Sequence, residues 1–497
     1  MVLLARDGPL KKWFCAPFYV RGLLVIFSKF VQKSRFSVDR FGFALAVVPW
    51  LVAGGMAGPA LAASLEESVR AGLVNPEVRE AAASRRAIAH DLREARALYY
   101  PTLDLLGAVG PEWFDTPTST SDDHWLWKRQ GSVLIKQMLF DGYSTSSEVE
   151  RQQARVNAAA ARVIERSEFI ALDVVQAYLD VLRQIDLVRF AEDNVRAHVT
   201  TNQDVQRRVS AGRSGLGDQR QAESRLAQAR ADLVNAQRRL EDARAFYARL
   251  VGSEALKLKK PTLSEKILPA TLQQALNNTA ATNPSVTVAL RDIESAEARA
   301  RSTDSPFWPR LDLEVTGSQG HNIDGLQGDN DSFSALLVAR WNLYSGGGDS
   351  ARRRAAIERI AESRERMMKI KIQADEETRR SWNALVYQRK QTKVLGERLT
   401  SAEGVLAAYR QQFSVGQRDL LDVLDAQNDV FLARSAHTTA QFSALFAGYR
   451  LVAVSGELLA AFKIKDPNEG AGGRAMAKMV KKKPAMKKKS KKKKSKK

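Results

Sequence analysis

The sequence predicts an α+β membrane protein built by internal duplication, from three observations: a long-range repeat, alternating segments edged by aromatics, and two very long helical stretches. Asn75-Pro76 is followed 25 residues later by Pro101-Thr-Leu-Asp-Leu105, and Asn283-Pro284 is followed 25 residues later by Pro309-Arg-Leu-Asp-Leu313. Val209-Ser-Ala-Gly212, with Leu216 and Asp218, returns 204 positions later as Phe413-Ser-Val-Gly416, with Leu420 and Asp422. Leu250-Val-Gly252 returns as Val454-Ser-Gly456. Solenoids and propellers repeat every 20 to 50 residues or so, and this period is several times longer, so it marks a duplicated half-molecule. The expected units are 64–252 and 269–456, joined by a linker over 253–268, with an amino-terminal segment 1–63 and a carboxy-terminal segment 457–497.

The amino-terminal segment has the parts of a secretory signal: basic residues upstream, an apolar stretch from Phe41 to Val52, and a small-residue end, Ala60-Leu-Ala62-Ala63. A membrane-spanning anchor is the competing reading, but a spanning helix needs about 20 apolar residues and this stretch is shorter. Cleavage near Ala63 or Ser64 is therefore expected. No cysteine follows the apolar stretch, which argues against an acylated amino terminus. The only cysteine, Cys15, lies in the part expected to be removed, so thiol and disulfide chemistry is not expected in the mature chain.

Within each unit, Pro76 and Pro284 suit a first helical position, and Ala- and Arg-rich helix is expected to about Leu98 and Ser302. The period then changes from helical to two. Leu311 to Ser318 alternates apolar and polar residues, and Phe333, Ala335, Leu337, Ala339, Trp341 and Leu343 occupy every second position. Thr102 to Gly110 and Gln130 to Leu139 are the weaker equivalents in the first unit. Segments of about ten residues match tilted transmembrane strands. Tyr99, Tyr100, Trp113, Trp125, Trp127, Trp308, Trp341 and Tyr344 cluster at their ends, where a membrane interface favours amphipathic rings. Aromatic packing in a soluble β-sandwich is the alternative.

Each hairpin leads into a proline-free stretch, Ser144 to about Ser210 and Asp349 to about Phe413, long enough for a helix of roughly 100 Å. Val149, Val156, Val163, Ile170 and Ala177 recur every seven residues, with Ala160, Val174, Val181 and Val188 on the complementary seam, which predicts coiled-coil packing. A Gly-containing turn precedes a returning helix with Ala222, Ala229, Ala236 and Ala243 on one seam. The second copy has Ala426, Ala433, Ala440 and Ala447 there. Small residues in a row let backbones approach closely. Two hairpins give four strands, whereas closed membrane barrels need at least about eight, so oligomerisation is expected: open edges in lipid leave backbone groups unpaired.

These residues resemble the TolC family of outer-membrane channels over essentially 64–460. The likeness rests on the duplicated Asn-Pro to Pro-x-Leu-Asp-Leu block, the strand exits Leu139-Phe-Asp-Gly142 and Leu343-Tyr-Ser-Gly346, and Phe413-Ser-Val-Gly-Gln-Arg-Asp-Leu-Leu-Asp-Val-Leu-Asp-Ala-Gln427. The resemblance implies a homotrimer in the cell outer membrane, its four strands per chain completing a 12-stranded β-barrel above an antiparallel α-helical coiled-coil tunnel in the periplasm. It also implies outer-membrane lipid, a periplasmic adaptor and an inner-membrane pump as partners, and a secreted protein or a small molecule as the substrate conducted. In that family, aspartates matching Asp422 and Asp425 line the closed tunnel entrance, and a link between an arginine matching Arg418 and an aspartate matching Asp218 helps hold the coils shut. This chain departs at Phe413, where well-known members carry tyrosine, which removes the hydroxyl on which one hydrogen bond of that lock rests.

Read from spacing alone, Asp422 and Asp425 lie three apart on one helical face, and in a three-fold assembly they would stack as two carboxylate rings that attract cations. Helix capping and compensation of the helix dipole compete with this reading, for Asp218 as well. No catalytic constellation is present. His90, His124, His198, His321 and His437 lack metal-ligand spacing, and Gly346-Gly-Gly348 lacks the Lys and Ser or Thr of a phosphate loop, so neither enzyme activity, metal nor cofactor is expected.

The net charge of +21 is concentrated at the end of the chain: Arg474 to Lys497 holds 14 basic and no acidic residues, leaving +7 (21 less 14) elsewhere. That tail is expected to be disordered and at most loosely associated with polyanions. The leading function is a passive exit duct for type I protein secretion, with small-molecule efflux beside it. A coiled-coil structural or polyanion-binding protein is the reading from another class.

Overall fold

The computed structural model describes residues 64–115, 125–255 and 257–465. The signal-like segment, Cys15, His124 and the Lys-rich tail lie outside the described residues. The chain order is α1 (Leu65–Gly72), α2 (Pro76–Ala97), β1 (Thr102–Trp113), β2 (Trp125–Phe140), α3 (Ser144–Ser210) and α4 (Leu216–Val251). The order then recurs as α5 (Leu272–Thr282), α6 (Pro284–Ser302), β3 (Arg310–Ile323), β4 (Leu326–Arg340), α7 (Gly348–Ser414) and α8 (Leu420–Val454), closed by a four-residue α9 (Leu458–Ala461).

The four strands form one antiparallel sheet in sequence order. They run 12 to 16 residues, longer than the ten or so expected. β4 ends at Arg340, so Trp341 and Leu343 belong to the irregular strand exit and not, as expected, to the strand. Register decides what each face carries. Leu103, Ile135, Val315 and Ala335 lie side by side across the sheet, and the next row on that face is Leu105, Val133, Gly317 and Phe333. Rows on the opposite face include Asp104, Leu134, Thr316 and Ser334, then Leu106, Ser132, Ser318 and Ser332. One face is apolar and the other mixed but predominantly polar. The apolar face is bare: Leu103, Leu105, Val109, Phe333 and Leu337 are all at least 65% exposed.

Both long helices have 67 residues, and in each the N-cap residue, Tyr143 or Gly347, takes positive φ. Beside each runs a column of two helices placed end to end. Asn75 caps α2 by accepting from Glu77 N, and its side-chain amide donates to the carbonyl of Leu250 at the end of α4 (3.3 Å). Asn283 repeats this for α6, accepting from Val286 N and donating to Val454 O at the end of α8 (2.9 Å). The repeated Asn-Pro thus fastens the start of the short helix to the end of the return helix, satisfying groups that helix termini leave unpaired.

In the half away from the sheet, α4 packs on α3, α3 on α8 and α8 on α7. Ala222, Ala229 and Ala243 are buried and Ala236 half-buried, while Ala426, Ala433, Ala440 and Ala447 are all buried, as close helix approach requires. The two long helices differ in cover. α3 buries 27 residues between its neighbours, whereas α7, of equal length, buries only Ala356, Thr378, Ser381 and Leu385. Ile357, Ile372, Tyr387 and Val394 on α7 remain exposed.

The segment between the units straps across the middle. The hydroxyl of Tyr178 donates to Lys259 O (2.6 Å) and accepts from Lys259 N (2.9 Å), and burial raises its pKa to about 12. Leu263 of the strap sits over Gly448, where a Cβ would lie 2.2 Å from its methyl carbon.

Candidate functional site

The helix turns hold the residues singled out by the sequence. Each long helix ends in the same way: Gly212 and Gly416 take positive φ, and the next backbone N–H reaches back five residues, Arg213 to Arg208 O (2.8 Å) and Gln417 to Gln412 O (2.9 Å). This satisfies carbonyls at the helix end and needs a residue without Cβ strain at the αL position. Beneath the turns lies a small apolar cluster of Val205, Ala222, Leu420 and Leu424, with Val209 and Phe413 packed against it.

Asp422 is in the first turn of α8 and receives Arg418 Nη1 from one helical turn earlier (3.3 Å). Arg418 also donates Nε to Gln412 Oε1 (3.1 Å) and lies over the Tyr409 ring at 4.0 Å from its centre. Asp218 accepts the backbone N–H of Gly215 (3.3 Å) and so caps α4. The expected Arg418–Asp218 link is thus not among the contacts of one chain in the described residues, because each partner is engaged within its own turn.

Asp425 has a partner on the other hairpin. Arg225, seven residues after Asp218 on α4, places Nη2 2.6 Å from Asp425 Oδ1. Nothing in the local sequence marks this pair, since its members are 200 residues apart. Phe413 has a partner despite lacking a hydroxyl: the Arg208 guanidinium lies 4.3 Å from its ring centre, and Arg208 Nη2 donates to the Phe413 carbonyl (3.4 Å).

One layer in from the turns the seam becomes polar. Gln427 Nε2 donates to Thr201 Oγ1 (2.9 Å) across the α3–α8 contact. His198 is buried beside it, and burial together with the nearby Arg225 charge holds its pKa below the ordinary histidine value. His437 instead packs over Gly396 and pairs with Gln441 (3.3 Å), a structural contact.

At the other end, the polar sheet face carries an ion-pair network. Asp312, fully buried, lies within reach of Lys136 (3.4 Å), Arg310 (2.9 Å) and Arg340 (3.2 Å), and Glu314 binds Lys136 and Arg340. These contacts tie β2, β3 and β4 together where the sheet passes into the helices. Exposed Trp113, Trp125 and Trp127 edge the far end of the sheet, and Tyr99, Tyr100, Trp308, Trp341 and Tyr344 edge the near end. No grouping of side chains suited to a metal ion occurs among the described residues, and no described helix is long and apolar enough to cross a membrane.

The family model described as outer membrane efflux protein matches residues 69–253 and again 273–457. The outer membrane efflux protein BepC of Brucella suis is 27% identical over 66% of this chain and 72% of its own length. The alkaline protease secretion protein AprF of Pseudomonas aeruginosa is 23% identical over 73% of this chain and 78% of its own. Among solved structures, the outer membrane protein VceC of Vibrio cholerae superposes with a TM-score of 0.68 at 18% identity, covering 81% of this chain and 97% of that one, a likeness of fold.

Proposed function

Because this chain belongs to the outer membrane efflux protein family, we propose that it is the outer-membrane exit duct of a tripartite export system, a homotrimer that conducts substrate passively from the periplasm to the cell exterior. The family is one of channels, not enzymes, and the protein resides in the outer membrane.

The observation that carries the proposal is that sheet and helices are left open on the same two sides. Among the described residues, β1 and β4 each pair on one side only, and α4 and α7 lie at the ends of the helical row. Such edges are different surfaces, so they pair head to tail and close a ring when the rotation permits. Three copies would give 12 strands, with the bare apolar face towards lipid and the polar face around water. The exposed apolar residues of α7 would then meet the α4 side of the next copy, completing a coiled-coil tunnel. We divide the chain accordingly into repeats at 64–252 and 269–456 with a strap between them. The helix-turn end, with Asp422, Asp425, Arg418, Asp218 and Phe413, is assigned to the gated entrance that a periplasmic adaptor and an inner-membrane pump would engage.

For the substrate we favour a protein exported by type I secretion, supported by the Asp-Val-Leu-Asp-Ala-Gln block from Asp422 to Gln427 and by the likeness to AprF. The likeness to BepC supports small-molecule efflux as the second reading. Deleting the gene in its own host separates the two: loss of a protein from the medium with unchanged drug sensitivity supports secretion, and the reverse supports efflux. The duct itself is tested by mass measurement and planar-bilayer recording of detergent-extracted protein. A folded, monodisperse monomer without conductance overturns it.

A further inference from the structure

The lysines of this chain are unevenly placed. Twelve lie among the described residues, and six of these fall in two short segments: Lys257, Lys259, Lys260 and Lys266 in the strap, and Lys463 and Lys465 just after α9. All six are exposed, and none forms an ion pair among the described residues, whereas Arg389 beside the strap binds Glu265. Apolar packing turns them outward. Leu258, Ile267, Phe462 and Ile464, which sit next to them in the chain, join the core made with α3, α4 and α8. The array is also held in place, because Tyr178 binds both backbone groups of Lys259 and the Glu168 carboxylate holds the start of α9. Glu67, Glu254 and Glu457 are the carboxylates of this region without ion pairs of their own, so three lysine charges are left over (six less three). Lys465 is moreover where the chain passes into residues 466–497, of which Arg474 to Lys497 carries 14 basic and no acidic residues.

We propose that this lysine belt and the carboxy-terminal tail form one anchoring surface for peptidoglycan, the carboxylate-bearing polymer of the bacterial wall, on the outside of the duct. The inference rests on the reading of the chain as a duct that runs from the outer membrane into the periplasm. Height along α3 selects the polymer over lipid. Counted from Ser144 at 1.5 Å per residue, Glu168 and Tyr178 place the belt about 35–50 Å from the sheet. The surface potential of anionic lipid falls off within a screening length of about 8–10 Å, so the belt lies beyond the pull of the outer-membrane headgroups. A strap laid across the bore would obstruct the duct, so the belt faces outward, where the wall surrounds the tunnel. The peptide stems of that wall carry carboxylates at many points of a mesh, and such a polymer is held by many weak contacts at once. Lysine suits the task, since a compact charge on a long stem does not demand one carboxylate geometry. Clefts of about 510 and 560 Å³ flank the strap, with Lys260 and Lys266 among their lining residues, and give a stem room to lie against the helices.

The test is sedimentation of the detergent-extracted full chain with purified, protein-free sacculi at physiological ionic strength, with oligomeric state and thermal melting measured on the same samples. The protein should pellet with the sacculi and be released by salt. Deleting Arg474 to Lys497, and separately replacing the six belt lysines with Gln, should each weaken the apparent Kd about ten- to hundredfold, the scale on which joining two weak sites strengthens binding. Both changes together should abolish pelleting, and sacculi whose carboxylates have been amidated should bind neither variant nor original. Flotation with phosphatidylglycerol vesicles is the counterpart, in which the belt variant should behave as the original does. No pelleting of the original, a belt variant that pellets equally well, undiminished binding to amidated sacculi, or tighter binding to vesicles than to sacculi each overturn the anchor. Absence of a pore from the unaltered protein in planar bilayers overturns the duct itself, a separate outcome, since sacculus binding is read without a pore.

Discussion

Asn283 does two things at once: its oxygen accepts from Val286 N at the start of α6, and its amide donates to the carbonyl of Val454 at the end of α8. Asn283→Ala removes a helix cap and leaves that carbonyl unpaired, so it should cost about 1–2 kcal/mol. Asn283→Asp keeps the cap acceptor and loses only the donor, so its cost should be smaller. Thermal melting followed by circular dichroism orders the three proteins, and an Asn283→Ala protein that melts with the original contradicts the account.

Gly448 is required by space. A Cβ there would lie 2.2 Å from a methyl carbon of Leu263, so Gly448→Ala must push the strap off α8. The expected cost is about 1–3 kcal/mol, as for other overpacked sites. Leu263→Ala clears the same space, and the double variant should be more stable than the sum of the two losses predicts. Strict additivity in melting temperature would show that strap and helix do not compete for this volume.

His198 gives the helical region a pH dependence. Its folded-state pKa is lowered by burial and, secondarily, by Arg225. Above about pH 6.5 the imidazole is neutral both folded and unfolded, and stability is complete. As pH falls below that value the unfolded chain takes up the proton first, so stability drops until the folded group titrates too. His198→Gln should therefore show a shallower fall in melting temperature between pH 8 and pH 5 than the original. Parallel curves would mean that His198 contributes nothing to the acid sensitivity.

The helices were far more legible in the sequence than the strands or the turn contacts. Ser144 to Ser210 could be bounded closely because no proline interrupts it and Gly212 marks the αL residue that ends it. Alternation fades at the far end of the strands, where Pro111, Asp329 and Asn330 look like loop residues although the ladder pairs each of them. Trp341 and Leu343 kept the period of two beyond the last ladder pair at Arg340, and periodicity carries no information about where pairing stops. At the turns, residue types were legible and partners were not. Asp218 capping its own helix follows from local spacing, whereas Arg225 reaches Asp425 only because helix packing brings α4 beside α8.

Glu168 anchors the end of the fold from the middle of α3. Its carboxylate is buried and accepts the backbone N–H groups of Leu458 (3.0 Å) and Leu459 (3.4 Å), the first residues of α9. Leu458 and Leu459 are themselves fully buried, Phe462 stacks on Tyr449 with ring centres 5.7 Å apart, and Ile464 is buried beyond them. Replacing Glu168 with Ala leaves two buried donors without this acceptor, a loss of about 2–3 kcal/mol. Because α9 has only four residues, it has little helical stability of its own and depends on this docking. The expected result is local release of residues 458–465 with the long helices intact. Limited trypsin digestion read by mass spectrometry should show cutting after Lys463 much sooner in Glu168→Ala than in the original, with the helical circular dichroism of the two proteins nearly equal. Glu168→Gln retains one acceptor oxygen and should fall between them. Unchanged protection of Lys463 in Glu168→Ala would mean that the apolar contacts of Leu458, Leu459 and Phe462 hold the segment without the carboxylate.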